Sequence, residues 1–393
     1  MAVTFKVTVI FLNGELILTK KFHGKKISGK NNAMTTSILL FLAGLIILII
    51  GAELLVRGAS RLAAAFGVSP LVIGLTIVAI GTASPEIAVS LKAALNGQGD
   101  LTLGNVLGSN IFNILFILGM TALVAPIVIA EQLIRKDAPI MLGVSLLAFA
   151  LALNGSLGWL DGLILLSLMA VYIVFALRQS RVETVEVQEE YAREFAQKEP
   201  RSRRNSLVNL LFIVIGLGLL VLGSNWLVDS AVVIARALGV SELVIGLTIV
   251  AAGTSLPEVA TSVIAAVKGE SDIAVGNAVG SNIFNLLGVL GLGALLAPGG
   301  ISVAEQVLRL DFPVMVFVAL VCLPVFYIDN RISRLEGGLL LSYYVLYIVY
   351  IIVQASNSSA LSVLNLVIVF FTPLTFIALV VFAARSMRAR KAR

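Results

Sequence analysis

Only one cysteine and one histidine occur in the 393 residues, and charged side chains make up 13% of them. Cys322 has no second thiol to pair with, and it lies in an apolar run where a thiol acts as a small buried hydrophobe. The single His23 rules out a histidine-based zinc set, and with it a zinc protease. The scarcity of charge has a broader consequence. With 59% hydrophobic residues and a mean hydropathy of +1.04, there is too little polar surface to cover a soluble fold of this size. The composition is that of an all-α polytopic membrane protein. A net charge of +6 does not point to nucleic acid, because residues 1–33 hold six Lys and one Glu and the remainder carries only +1.

Residues 1–33 alternate apolar and polar from Phe5 to Phe22 around Asn13-Gly14, a short hairpin signal. They lack the apolar core and cleavage site of a signal peptide. A hydrophobic helix is expected to begin just after Met34, so 1–33 reads as an N-terminal extension outside the mature protein. From there, apolar segments long enough to span a bilayer follow at Ser37 to Phe66, Ser69 to Leu95, Leu101 to Ala125, Leu133 to Leu153 and Leu157 to Leu177. Five more run from Leu207 to Leu238, Glu242 to Val267, Ile273 to Ala297, Leu308 to Tyr327 and Leu335 to Val353, and an eleventh from Leu361 to Ala384. The expected organisation is a first five-span repeat (34–177), a polar linker (178–205), a second repeat (206–355), and an extra helix with a basic tail (356–393). Lys and Arg of short loops place the linker and tail in the cytoplasm, with Arg57, Arg61, Arg135, Lys136, Arg331 and Arg334 on inner ends.

The repeat is explicit. GTASPE at 81–86 returns as GTSLPE at 253–258, and GSNIFN at 108–113 returns at 280–285, always 172 positions later. Ser69 to Gly119 and Ser241 to Gly291 are identical at 31 of 51 positions without a gap. An odd number of spans per copy makes the copies cross the membrane in opposite directions, the inverted arrangement that builds a midplane site from interrupted helices.

Glu86 and Glu258 sit in the middle of apolar helices, which costs several kcal/mol and demands a reason. Lys92 and Lys268 lie six and ten positions on, where lysine snorkels to the interface rather than neutralising the acid. Pro85 and Pro257 each push against the carbonyl four residues back, at Gly81 and Gly253, so the helix opens there. Carbonyls of Ala79, Thr82, Ala251 and Thr254, and hydroxyls of Thr82, Thr254 and Ser255, then lie within a turn of a glutamate. In the following helix, Ser109 shares a face with Asn113, and Ser281 with Asn285. Asn110 and Asn282 read equally well as ligands or as interhelical hydrogen-bond glue. Gly104 with Gly108, and Gly276 with Gly280, read as packing faces. Two carboxylates with hydroxyl, amide and carbonyl oxygens and no nitrogen or sulfur donors suit hard cations, Ca²⁺ above all, and two negative charges balance one divalent ion. Na⁺ is close in size to Ca²⁺ and competes for the same oxygens.

GTASPE with GSNIFN, and GTSLPE with GSNIFN, resemble the two alpha-repeats of the calcium/cation antiporter superfamily, most closely the sodium/calcium exchanger family in its compact prokaryotic form. The resemblance implies ten helices in two inverted halves, with ions held among the second, third, seventh and eighth while the long first and sixth slide to alternate access. It implies Glu86 and Glu258 as shared metal ligands, surrounded by Thr82, Thr254, Ser255, Ser109, Ser281, Asn113, Asn285 and the backbone oxygens of Ala79 and Ala251. Where many members carry Ser after the first Thr, this chain has Ala83; Asn285 stands where several carry Asp; and the eleventh helix is additional.

The expectation is a non-enzymatic antiporter of the cytoplasmic membrane with Ca²⁺ and Na⁺ as substrates, no cofactor and no protein partner. Proton coupling at the glutamates is the alternative within transport, and a passive cation channel the alternative outside it.

Overall fold

The structure is a computed structural model that describes residues 8–12, 15–19, 28–66, 68–180, 203–238, 251–355 and 360–391. Long apolar runs become helices, and the described ones follow the expected spans. They are α1 (Ser28–Phe66), α2 (Pro70–Thr82), α3 (Ser84–Leu95), α4 (Gly99–Val124), α5 (133–152) and α6 (Trp159–Ser180). After the linker come α7 (Arg203–Ala237), α8 (Leu256–Val267), α9 (Ser271–Leu296), α10 (Val307–Tyr327), α11 (Arg334–Ala355) and α12 (Ala360–Lys391). Among the described residues eight helices are long and apolar enough to cross a membrane, and α2 with α3 make a ninth span bent by 50°. Linker residues 181–202, and residues 239–250 before α8, lie outside the described residues.

One expectation needs correction at the start of the chain. The first helix begins at Ser28 rather than after Met34, so the last residues of the supposed extension are continuous with the first span. The expected hairpin is present as β1 (Thr8–Leu12) paired antiparallel with β2 (Glu15–Thr19). Four further short strands were not anticipated. Ile127–Val128 pairs with Arg331–Ile332, and Ser156–Leu157 pairs with Ile301–Ser302. Each pair joins a loop of one half to a loop of the other, and the first brings together two loops that the charge rule assigns to the same side.

At 39 and 35 residues, α1 and α7 are about 58 and 52 Å long, far more than a hydrocarbon core of about 30 Å. They pack backbone to backbone through glycines. A Cβ on Gly44 would lie 2.9 Å from the Gly223 carbonyl oxygen, one on Gly51 2.8 Å from Leu220 N, and one on Gly58 2.8 Å from the Asn209 carbonyl oxygen. Without hydrophobic drive inside lipid, such close approach of small residues is what holds transmembrane helices together.

The remaining core lies between the halves, where α4 and α9 cross with Leu103, Leu107, Ile111, Val279 and Ile283 fully buried. The α3–α4 and α8–α9 turns are built alike. Gly97 and Gly269 adopt φ of +71° and +81°, the left-handed region that lets a helix end within one residue. The Gln98 amide then donates to the Ala93 carbonyl, and the Glu270 amide to the Ala265 carbonyl, each at 2.9 Å. These tight reversals lay α4 along α3 and α9 along α8, which brings the second repeated motif of each half beside the first.

Candidate cation site

The break in the second span falls at Ala83 (φ −73°, ψ 7°), two residues before Pro85. It creates a new helix N-terminus with Glu86 in its first turn, and Glu258 occupies the same place in α8. A helix N-terminus carries partial positive charge, so each acid sits where the backbone itself favours an anion. Both are 1% exposed. No ion pair of the described residues involves either one. Lys268 pairs with Glu53 of α1 at 2.5 Å and so does not neutralise Glu258.

The carbonyls that the prolines strand are not left open. Ser84 donates to the Gly81 carbonyl at 2.7 Å, and Ser224 of α7 donates to the Gly253 carbonyl at the same distance. The Ala79 carbonyl accepts the Ala83 amide at 3.1 Å and lies 3.4 Å from the Thr82 hydroxyl. Ala251 begins the short turn Ala251–Gly253, at the place in the second half that Ala79 holds in the first.

Around the glutamates the halves interlock. Ser255 donates to Glu86 Oε1 at 2.8 Å, and its Oγ is 3.3 Å from that of Ser109. Thr82 Oγ1 lies 3.0 Å from Asn277 Oδ1 of the other half, and Thr254 Oγ1 lies 3.5 Å from Asn105 Oδ1. Asn105 in turn donates to Ser90 Oγ (2.8 Å) and the Glu86 carbonyl (3.4 Å), and Asn277 to Ser262 Oγ (3.0 Å) and the Glu258 carbonyl (3.3 Å). Asn105 and Asn277 were missed from sequence, although they are 172 positions apart and polar in apolar helices, the same signal that marks the glutamates.

Asn113 and Asn285 each begin a stretch of π-helix, Asn113–Leu118 and Asn285–Val289. Such wide turns are characteristic of functional sites, because the extra residue re-aims the side chains on that face. Asn110 and Asn282 bond to each other's backbone across the crossing, so they are interhelical ties. A Cβ on Gly276 would lie 2.9 Å from the Leu71 carbonyl oxygen and one on Gly280 2.7 Å from Leu75 Cα, as expected of packing glycines. No described atom lies within 4 Å of a Cβ on Gly104 or Gly108.

What remains unpartnered is informative. Five buried oxygens in this region have no hydrogen-bond partner: Glu86 Oε2, Glu258 Oε2, Asn113 Oδ1, Asn285 Oδ1 and Ser281 Oγ. Four of the five can only accept, and the fifth can accept as well as donate. Leaving such groups unpaired costs about 1–3 kcal/mol each, more for a charge, so the arrangement favours a cation. The set is lopsided. Ser255 occupies the position that Ala83 holds in the first half, so the serine hydroxyl that donates to Glu86 has no counterpart from Ala83 to Glu258, and Ser281 lacks the neighbour that Ser109 has.

Comparisons with known proteins place the chain in a family. The family described as sodium/calcium exchanger protein matches residues 36–178 and 208–353. A putative antiporter, CaxA of Alkalimonas amylolytica, is 40% identical over 318 residues, covering 80% of this chain and 98% of that one. The sodium/calcium exchanger MaX1 of Methanosarcina acetivorans is 34% identical over 352 residues, again covering 80% and 98%. A solved structure of the sodium-calcium exchanger NCX_Mj matches with a TM-score of 0.69 at 31% identity, over 80% of this chain and 99% of that one.

Proposed function

Because the chain belongs to the sodium/calcium exchanger family, we propose that it exchanges Ca²⁺ for Na⁺ across the cytoplasmic membrane by alternating access, both ions competing for a site around Glu86 and Glu258. The observation that carries this reading is the cluster of five buried, unpartnered oxygens contributed by both halves. Two carboxylates neutralise one Ca²⁺, and amide and hydroxyl oxygens complete the flexible all-oxygen shell that such an ion takes. Na⁺ draws on the same oxygens, so occupancy by one load excludes the other, which is the physical condition for exchange. Thr82, Thr254, Ser255, Ser109, Ser281, Asn113, Asn285 and the carbonyls of Ala79 and Ala251 are the further ligands of this reading. The long glycine-packed pair α1 and α7 supplies an element able to move as one body against the rest.

The test is flux in reconstituted vesicles. Ca²⁺ uptake should require an outward Na⁺ gradient, and Glu86→Gln or Glu258→Gln should each abolish it. Uptake driven by a pH gradient without Na⁺ would replace Na⁺ by a proton, and uptake without any counter-ion would make the protein a channel. Exchange that survives both substitutions would remove the glutamates from the site.

A further inference from the structure

The side-chain amides of Asn110 and Asn282 have a fixed rotation that can be read from their neighbours. Asn110 Nδ2 faces the Asn282 carbonyl oxygen at 3.4 Å and Met315 Sδ at 3.7 Å. Asn282 Nδ2 faces the Asn110 carbonyl oxygen at 3.1 Å and Met141 Sδ at 3.6 Å. Carbonyl oxygen and thioether sulfur accept and never donate, so only the NH₂ end of each amide can lie there. The oxygen ends must therefore point the other way, and what they meet must be a donor. Asn110 Oδ1 meets Asn285 Nδ2 at 3.2 Å, and Asn282 Oδ1 meets Asn113 Nδ2 at 3.0 Å. Once the NH₂ groups of Asn285 and Asn113 are spent in this way, their own oxygens are the ends left over. Both of those oxygens are buried and unpartnered.

We propose that Asn110 and Asn282 are positioning residues, each of which sets the amide rotation of a residue beside the ion site so that Asn285 and Asn113 present oxygen, not N–H, to the cation. The proposal rests on the site described above. It assigns a role that the ligand set alone does not contain: an unconstrained asparagine presents N–H as readily as oxygen, and N–H repels a cation. It also bears on the residue type at 113 and 285 in this chain, where an ionised carboxylate, unlike an amide or a protonated carboxyl, has no hydrogen to offer the Asn282 or Asn110 oxygen. A carboxylate at either position would turn an oxygen toward the oxygen of Asn110 or Asn282, whose NH₂ groups are committed elsewhere and cannot rotate to meet it.

The consequence is reciprocal suppression, which a merely structural role does not give. The readout is equilibrium binding of radioactive Ca²⁺ to the purified full-length protein. Asn110→Ala frees the Asn285 amide to rotate and should weaken binding about tenfold. Asn285→Asp keeps Asn110 but sets oxygen against oxygen, and should weaken it by a similar factor. The double variant Asn110→Ala with Asn285→Asp removes the opposing oxygen, and a carboxylate offers oxygen in either rotation, so binding should return to within about threefold of wild type. Asn282→Ala with Asn113→Asp forms the mirror set and decides the matter where Asn110→Ala does not fold. Double variants that lose the product of the single losses, or single variants that bind as wild type does, overturn the proposal while leaving the site itself standing. Wild-type protein that binds no Ca²⁺ overturns the site and the proposal together.

Discussion

Gly216 and Gly218 lie two residues apart on α7 and make opposite predictions. A Cβ on Gly216 would sit 2.7 Å from Leu55 N, 2.8 Å from the Gly51 carbonyl oxygen and 3.0 Å from Leu55 Cα. All three are backbone atoms of α1, so no side-chain rotation relieves them. Ordinary contact begins near 3.4 Å, and the two backbones would have to part by roughly 0.6 Å at a point where both helices are in close register above and below. Overpacking of this kind costs about 1–3 kcal/mol. Replacing glycine by alanine in a helix returns about 1 kcal/mol. Gly216→Ala should therefore destabilise by up to about 2 kcal/mol, whereas Gly218→Ala, exposed and with no described atom within 4 Å of the new methyl, should stabilise by up to about 1 kcal/mol. Unfolding followed in detergent by loss of the monodisperse peak on heating measures the order of the three proteins. Wild type lying between the two variants is the expected result. If Gly216→Ala is as stable as Gly218→Ala, α1 and α7 do not touch through their backbones, and the case for their moving as one body goes with it.

Two further outcomes follow from particular contacts. Ser255→Ala removes the hydroxyl that Glu86 Oε1 accepts at 2.8 Å, and a hydrogen bond to a carboxylate is worth about 1.5–3 kcal/mol, so half-saturating Ca²⁺ in flux assays should rise about 10- to 100-fold. An unchanged value would mean that the hydroxyl neither orients the acid nor ligates the ion. Lys268→Met breaks the pair with Glu53, but both side chains are about a third exposed, so the loss should stay below roughly 1 kcal/mol and vanish in molar salt. A loss that persists at high salt, measured in the same thermal assay, would show that this pair is shielded from solvent.

The helical order of the protein is legible in the sequence because apolar runs of about 20 residues have few alternatives in a membrane. The helix break is legible too, since Pro85 and Pro257 leave the preceding turn no choice. What fills the opened turn is not. Ser224 caps the Gly253 carbonyl from α7, 29 positions upstream, and nothing local to either residue signals the contact. The same holds for Lys268, whose partner Glu53 lies on a helix 215 positions earlier. The short strands that tie the loops, and the π-turns beginning at Asn113 and Asn285, depend on tertiary packing rather than on a residue pattern. Asn105 and Asn277 are different: their repetition was visible, and only the absence of charge made them look less consequential than the glutamates.

The bonds exchanged across the pseudo-two-fold axis bear on why the repeat is preserved unevenly. Asn110 and Asn282 each donate to the other's backbone and accept from the residue three positions beyond the other, so a change in one copy disrupts bonds made by both. GSNIFN is the same in both halves of this chain, in keeping with such mutual dependence. The position shared by Ala83 and Ser255 carries no reciprocal bond: Ser255 serves Glu86 and Ser109, both in the first half, and Ala83 makes no corresponding side-chain bond to the second. A difference there is felt on one side only. The site can therefore become asymmetric in its oxygen supply while its amide framework stays two-fold: Ser255 of the second half donates to Glu86 Oε1, Ala83 offers Glu258 no such bond, and Oε2 of each glutamate stays unpartnered.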